Sequence, residues 1–178
     1  MVFRAGKADN EDELYAYAIA ALARRMRSVA ELKRLLRPRV DVESAHGQAL
    51  LELVIRRLKD QGYLNDARYA ATYTCLRRDH EKFGRRRVIC DLQARGVHAE
   101  VIEQAVDAAY LEVDEEELAR AYLRRKRIAE PGDQKQLARV YRQLLRAGFT
   151  SKAIFAISKK WNAEASSSPL EEQEDPPW

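Results

Sequence analysis

RRVICDLQARGVHAEVI, from Arg86 to Ile102, decides the fold, because the chain repeats its pattern as ARVYRQLLRAGFTSKAI, from Ala138 to Ile154. At this shift of 52 residues Arg87 aligns with Arg139, Val88 with Val140, Leu92 with Leu144, Gly96 with Gly148 and Ile102 with Ile154. In each copy apolar residues recur at helical intervals, and a glycine closes the helix. An apolar residue, Val97 or Phe149, follows that glycine, and Ile102 or Ile154 stands five positions further on, placed to pack back on it as a staple. A period near 50 residues is that of solenoid-like arrays of small helical units.

Working outward, the same grammar covers the rest of the chain. Leu14, Ala18, Leu22 and Met26, flanked by Tyr15 and Ile19, form the stripe of a first helix. Ser28 and Glu31 make a capping box for a second, which carries Leu32, Leu35 and Leu36 and stops at Pro38. After a loop from Arg39 to Gln48, a third presents Leu50, Leu51, Val54, Ile55 and Leu58 and ends at Gly62, a left-handed cap. In GYLNDARYA (62–70), Asn65 or Asp66 caps a fourth helix, Leu64 packs on Tyr69, and Tyr73 and Leu76 continue the stripe. Gly84 breaks the chain before a fifth helix with Val88, Ile89 and Leu92 inward; Val97, Val101, Ile102, Ala105 and Val106 mark a sixth.

Asp114 and Glu117 open a seventh helix with Leu118, Ala121, Tyr122 and Leu123 inward. Pro131-Gly132-Asp133 is a turn, and the eighth helix carries Leu137, Val140, Tyr141, Leu144 and Leu145. The ninth faces inward with Ile154, Phe155, Ser158 and Trp161. No stretch alternates with period two. The expectation is an all-α protein of three tandem three-helix repeats forming an elongated curved array: an N-terminal tail 1–11, repeats at 12–62, 63–110 and 111–161, and a disordered acidic tail 162–178.

Composition limits the functions this scaffold serves. Hydrophobic residues make up 46%, enough for a core, and charged residues 34%, above the ~25% of an average domain. The formal charge is +4, but SSSPLEEQEDPPW (166–178) holds Glu171, Glu172, Glu174 and Asp175 and no base, so the preceding residues carry +8. Such a body suits an anionic partner. The amino terminus lacks the apolar core of a signal peptide, and no run approaches the ~20 apolar residues of a membrane span, so a cytoplasmic protein without membrane contact is expected.

Catalytic chemistry is not written in the chain. Neither a phosphate-binding GxxxxGK[ST] loop nor a GxGxxG turn occurs, so no cofactor is expected. His46, His80 and His98 are far apart, and Cys75 and Cys90, among apolar neighbours, read as buried thiols, so no metal site is expected either. Asp60, Asp66 and Asp79 are too well explained as helix caps and helix ends to be a nuclease centre. Tyr63, Tyr69, Tyr73, Tyr122 and Tyr141 read as core.

Arginine is what remains. Lys135, Arg139, Arg142 and Arg146 fall at i, i+4, i+7 and i+11 on the eighth helix, and Arg120, Arg124 and Arg127 make a second stripe on the seventh. Arg85, Arg86 and Arg87 open the fifth helix, where the dipole disfavours cations by a few tenths to ~1 kcal/mol each. Accepting that cost invites a functional explanation. Arg24, Arg25 and Arg27 close the first helix, where the dipole favours them, and Arg77 and Arg78 close the fourth. Arginine pairs in bidentate fashion with phosphate or carboxylate. These fifteen side chains are the candidate contacts with a protein or nucleic-acid partner.

LARRMRSVAEL (22–32), GYLNDARYA (62–70), GRRRVICDLQARGV (84–97) and, more weakly, LLRAGF (144–149) together resemble the RecX family, the bacterial modulators of RecA recombinase. The resemblance covers residues 12–161; Asn65 stands where aspartate is usual, and Arg85 where a proline or lysine is common. It implies a non-enzymatic, monomeric, cytoplasmic regulator in recombination, DNA repair and the SOS response. Such a protein lodges in the groove of the RecA–DNA filament and lowers ATP hydrolysis, strand exchange and co-protease activity, binding single- or double-stranded DNA only weakly. A general DNA- or RNA-binding helical module is the alternative.

Overall fold

The structure, a computed structural model, describes residue 8 and residues 10–166. Among the described residues it contains helices α1 (Glu11–Arg24), α2 (Val29–Leu36), α3 (Ala45–Asp60), α4 (Asp66–Asp79), α5 (Arg85–Ala94), α6 (Ala99–Tyr110), α7 (Glu115–Lys126), α8 (Gln134–Arg146) and α9 (Ser151–Ser166). A 3-10 turn, Arg37–Arg39, follows α2, and there is no strand among these residues. The protein is all-α. Of the expected acidic tail 162–178, residues 162–166 extend α9, and the remainder lies outside the described residues.

The chain forms two compact units. One holds residues up to His80 together with Val88–Glu112; the other holds Glu81–Arg87 and the chain from Val113 on. In the first, Leu14, Leu32, Leu36, Val54 and Leu58 are fully buried, as are Val88, Leu92 and Val106. In the second, Phe149, Leu144, Ala119, Ile154 and Ile157 play that part, and Phe149 meets Tyr122 edge-on at 5.8 Å. Each large aliphatic side chain fully removed from water contributes about 1.5–3 kcal/mol before the entropy of ordering is subtracted.

Helix starts follow the residues that cap them. Ser28 Oγ accepts from the Glu31 N–H at 3.0 Å while the Glu31 carboxylate accepts from the Ser28 N–H, completing the capping box. Asn10, Ser44, Asn65, Asp114 and Asp133 cap α1, α3, α4, α7 and α8. Asp66 is not the cap of α4. Its carboxylate accepts the Val29 N–H at 2.9 Å, tying the first turn of α4 to that of α2.

The ends share one geometry. At Gly62, Gly96 and Gly148 φ is +74, +74 and +92°, and the next N–H donates back across the turn: Tyr63 to Leu58, Val97 to Leu92, Phe149 to Leu144. This is the Schellman closure. Helix α7 closes in the same way, Ile128 N–H to Leu123, but with Arg127 at φ 53° where the others use glycine.

Two of these glycines are also points of close approach. A Cβ on Gly96 would lie 2.5 Å from Ala30 Cβ, and one on Gly148 would lie 2.2 Å from the Arg87 nitrogen. The helix that comes this close donates to the carbonyl just before the glycine. Ser28 Oγ donates to Arg95 O at 2.6 Å in one unit, and Gly84 N–H donates to Ala147 O at 2.9 Å in the other. Arg95 and Ala147 are equivalent at the 52-residue shift, so one joint is built twice from one piece of sequence.

Several stripe residues point elsewhere than expected. Met26 lies beyond the end of α1 and is exposed, as are Leu76, Leu145 and Phe155, the last at 70%. Helical rotation of ~100° per residue explains the last two: Leu144 and Ile154 take the inward positions, so their next neighbours turn out. Ile157 takes the buried place assigned to Phe155. Tyr63 is 56% exposed because Leu64 fills the core beside it. Cys75 and Cys90 are exposed thiols, correcting their reading as buried; Cys75 is one position past the buried Thr74 on α4 and Cys90 two past Val88 on α5.

Candidate macromolecular interface

The candidate cations differ in exposure and in how far other groups of the fold engage them. Arg77 Nε donates to the Tyr73 hydroxyl at 2.8 Å, lies over the Tyr73 ring and approaches Asp91 at 4.0 Å. Arg78 pairs with Asp79 at 2.7 Å and donates to the Ala109 carbonyl in the last turn of α6. Its guanidinium pKa is raised, first by the hydrogen bond to Asp79 and against the cost of burial. Arg120 is held by Glu116 at 2.7 Å, one helical turn away. Arg25 approaches Glu31 at 3.9 Å, and Arg27 is half-buried with Nε enclosed and unpaired among the described residues. Arg77, Arg78 and Arg120 are thus engaged within the fold, while Arg25 remains exposed.

Arg95, which the stripes did not single out, anchors a polar cluster. Its guanidinium donates to Glu31 at 2.8 Å and to the Tyr69 hydroxyl at 3.2 Å, and it stacks on the Tyr73 ring at 4.6 Å. Burial, then the Glu31 carboxylate, pushes the Tyr69 hydroxyl above its ordinary pKa, so it stays a neutral donor to Glu31. Since Glu31 also caps α2, the cluster ties α2, α4 and α5 together. The available signal was a lone arginine directly before a helix-closing glycine.

Facing outward are Arg24, Arg85, Arg86, Arg87, Arg124, Arg127, Lys135, Arg139, Arg142 and Arg146, all exposed. The stripe on α8 is realised as a run of four cations along one helix. Arg142 and Arg146 are steadied by donating to carbonyls a turn back, Ala138 at 3.2 Å and Arg142 at 3.3 Å. Beside it, a groove of about 570 Å³ lies between α8 and α9, lined by Leu137, Tyr141, Arg142, Phe155, Ser158 and Lys159.

The arginine triplet sits at the second joint. N–H groups at the start of α5 are answered by carbonyls just past the end of α8: Gly84 N–H by Ala147, Arg86 N–H by Gly148 at 3.3 Å. The negative pole of α8 therefore lies against the positive pole of α5, and three cations there are compensated. The dipole penalty expected from sequence is offset by partners 62 and 63 residues further along the chain. Arg87 also lies over the Phe83 ring at 5.8 Å.

The aspartates do not converge. Asp66 holds the Val29 N–H, Asp79 pairs with Arg78, and Asp60 is exposed at the end of α3. Among the described residues no three His, Cys, Asp or Glu side chains gather as metal ligands, and no helix is long and apolar enough to cross a membrane.

Fold and surface together define an all-helical protein joined through caps and glycine turns, with arginine turned outward. A family model described as the second three-helix domain of RecX matches residues 65–106. A Regulatory protein RecX from Leptothrix cholodnii is 36% identical over 137 residues, spanning 77% of this chain and 82% of its own length. Another, from Trichlorobacter lovleyi, is 30% identical over 151 residues, 83% of this chain and 95% of its own. The crystal structure of RecX from Lactobacillus salivarius shares the fold, with a TM-score of 0.62 at 20% identity over 87% of this chain and 98% of that one. The chain belongs to the RecX family of regulatory proteins.

Proposed function

We propose that this protein binds the RecA–DNA filament and restrains it, lowering ATP hydrolysis, strand exchange and co-protease activity. It acts by contact, without catalysis, as a cytoplasmic monomer. The observation that carries this reading is the division of the arginines. Arg77, Arg78 and Arg120 are paired within the fold, whereas the α8 run of Lys135, Arg139, Arg142 and Arg146 stands exposed along one helix. A surface of preordered guanidinium groups fits a partner that offers carboxylate and phosphate together. A RecA–DNA filament does so; bare nucleic acid offers phosphate alone.

The test is RecA-dependent ATP hydrolysis on single-stranded DNA, titrated with this protein. Inhibition at ratios well below one per RecA is expected. Inhibition that appears only when bare DNA is saturated, and that fades with salt as counterion release demands, identifies a general DNA-binding module instead.

A further inference from the structure

The groove between α8 and α9 has an apolar floor and a basic rim. Phe155 is 70% exposed on one wall, Leu137 and Tyr141 form the other, and Arg142 and Lys159 stand at its edge. An exposed phenylalanine in a lined groove is a docking feature, and the rim calls for an acidic occupant.

The chain supplies one. After Ser166 come twelve residues, SSPLEEQEDPPW, with one leucine and one tryptophan, four acids and no base. The starting point is also right. Position 166 is eleven residues beyond Phe155, so it returns to the same face of α9 within ~20° and lies ~16 Å along the axis. Twelve residues reach up to ~40 Å, more than enough to turn at Ser167–Pro169 and run back along the groove.

The geometry points to an autoinhibitory contact: residues 167–178 seat in the α8–α9 groove, with the acids 171–175 against Lys159 and Arg142 and Trp178 against Phe155. The tail then covers the face that carries Lys135, Arg139, Arg142 and Arg146 and competes with an anionic partner for it. Tethering makes a weak contact sufficient. Short linkers give effective concentrations near ~1 mM, so a segment with a ~0.1 mM dissociation constant is ~90% seated and costs a competing ligand about tenfold in affinity. What is displaced follows the function proposed above; the seating itself does not.

Heteronuclear NOE values of backbone amides 170–175 in the full-length ¹⁵N-labelled chain test the seating without any RecA. At low salt they are expected to match those of the helices, independent of protein concentration, and to drop to free-chain values in a Phe155→Ser, Arg142→Glu, Lys159→Glu variant. Reversing Glu171, Glu172, Glu174 and Asp175 to Lys leaves the folded body untouched and should give the same drop. Free-chain values in the native protein overturn the proposal, as does seating that appears only on raising the concentration, which would mean exchange between copies. In a separate arm, a chain ending at Ser166 should bind a (dT) oligonucleotide about tenfold more tightly than the full chain at low salt; equal affinity would show that the tail does not guard this face.

Discussion

Arg127 occupies the left-handed backbone position that Gly62, Gly96 and Gly148 take at the other Schellman ends. A side chain there costs about 1 kcal/mol relative to glycine. Keeping arginine at that price, with its head in solvent, fits a contact residue. Arg127→Gly should therefore raise unfolding stability in urea by ~0.5–1 kcal/mol while weakening RecA inhibition; unchanged inhibition removes Arg127 from the contact. A pair of glycine substitutions separates strain from collision. Gly62→Ala meets open space and should cost ~1 kcal/mol, whereas Gly96→Ala also drives into Ala30 and should cost ~2–4 kcal/mol in the same unit. Equal losses would mean that α2 yields at the joint. The turn at each glycine is legible in the sequence, since an apolar helix followed by Gly and another apolar residue has one economical geometry. The collision is not, because nothing at Gly96 names Ala30.

At the scale of elements, the joint between α5 and α8 changes what a charge reversal would report. Read from the sequence, glutamates at 85–87 suit the start of a helix and would be tolerated. In the structure that start faces the α8 carbonyls, so three acids would oppose them and loosen the joint. Arg85, Arg86 and Arg87 to Gln is the cleaner variant: stability should hold within ~1 kcal/mol while RecA inhibition falls, and full inhibition would clear the triplet of a role. On α7, the Glu116 carboxyl is held below its ordinary value, first by Lys160 at 2.5 Å and then by Arg120. Because the folded pKa is depressed, its contribution is complete above the ordinary value of 4.5 and is lost as pH falls through the lowered one. The acid limb of the stability–pH curve should therefore be shallower in Glu116→Gln; an identical limb would show the pair to be inert. Helix existence and inward stripes were readable from spacing, as α3 shows with all five expected apolar residues buried. Where two apolar residues stood side by side, as at 154–155, periodicity could not choose, and the partner helix did.

For the whole molecule, the readable part is the excess of positive charge and the repeated sequence block. Which arginines are engaged inside was hidden, because Arg77 finds its acid, Asp91, and Arg78 its carbonyl, that of Ala109, on other helices. Leu92, fully buried, should cost ~2–5 kcal/mol when cut to alanine, read by urea unfolding, and a loss under 1 kcal/mol would show that its surroundings collapse to fill the space. The second joint also bears on how the protein is dissected. Glu81–Arg87 belongs to the same compact unit as the chain from Val113 on. A fragment ended at Glu112 keeps every residue of α5 yet strips the acceptors from Gly84 and Arg86. Deletion mapping at the sequence boundary would thus fray a helix it meant to preserve, and loss of binding in such a fragment would be misassigned to missing contacts.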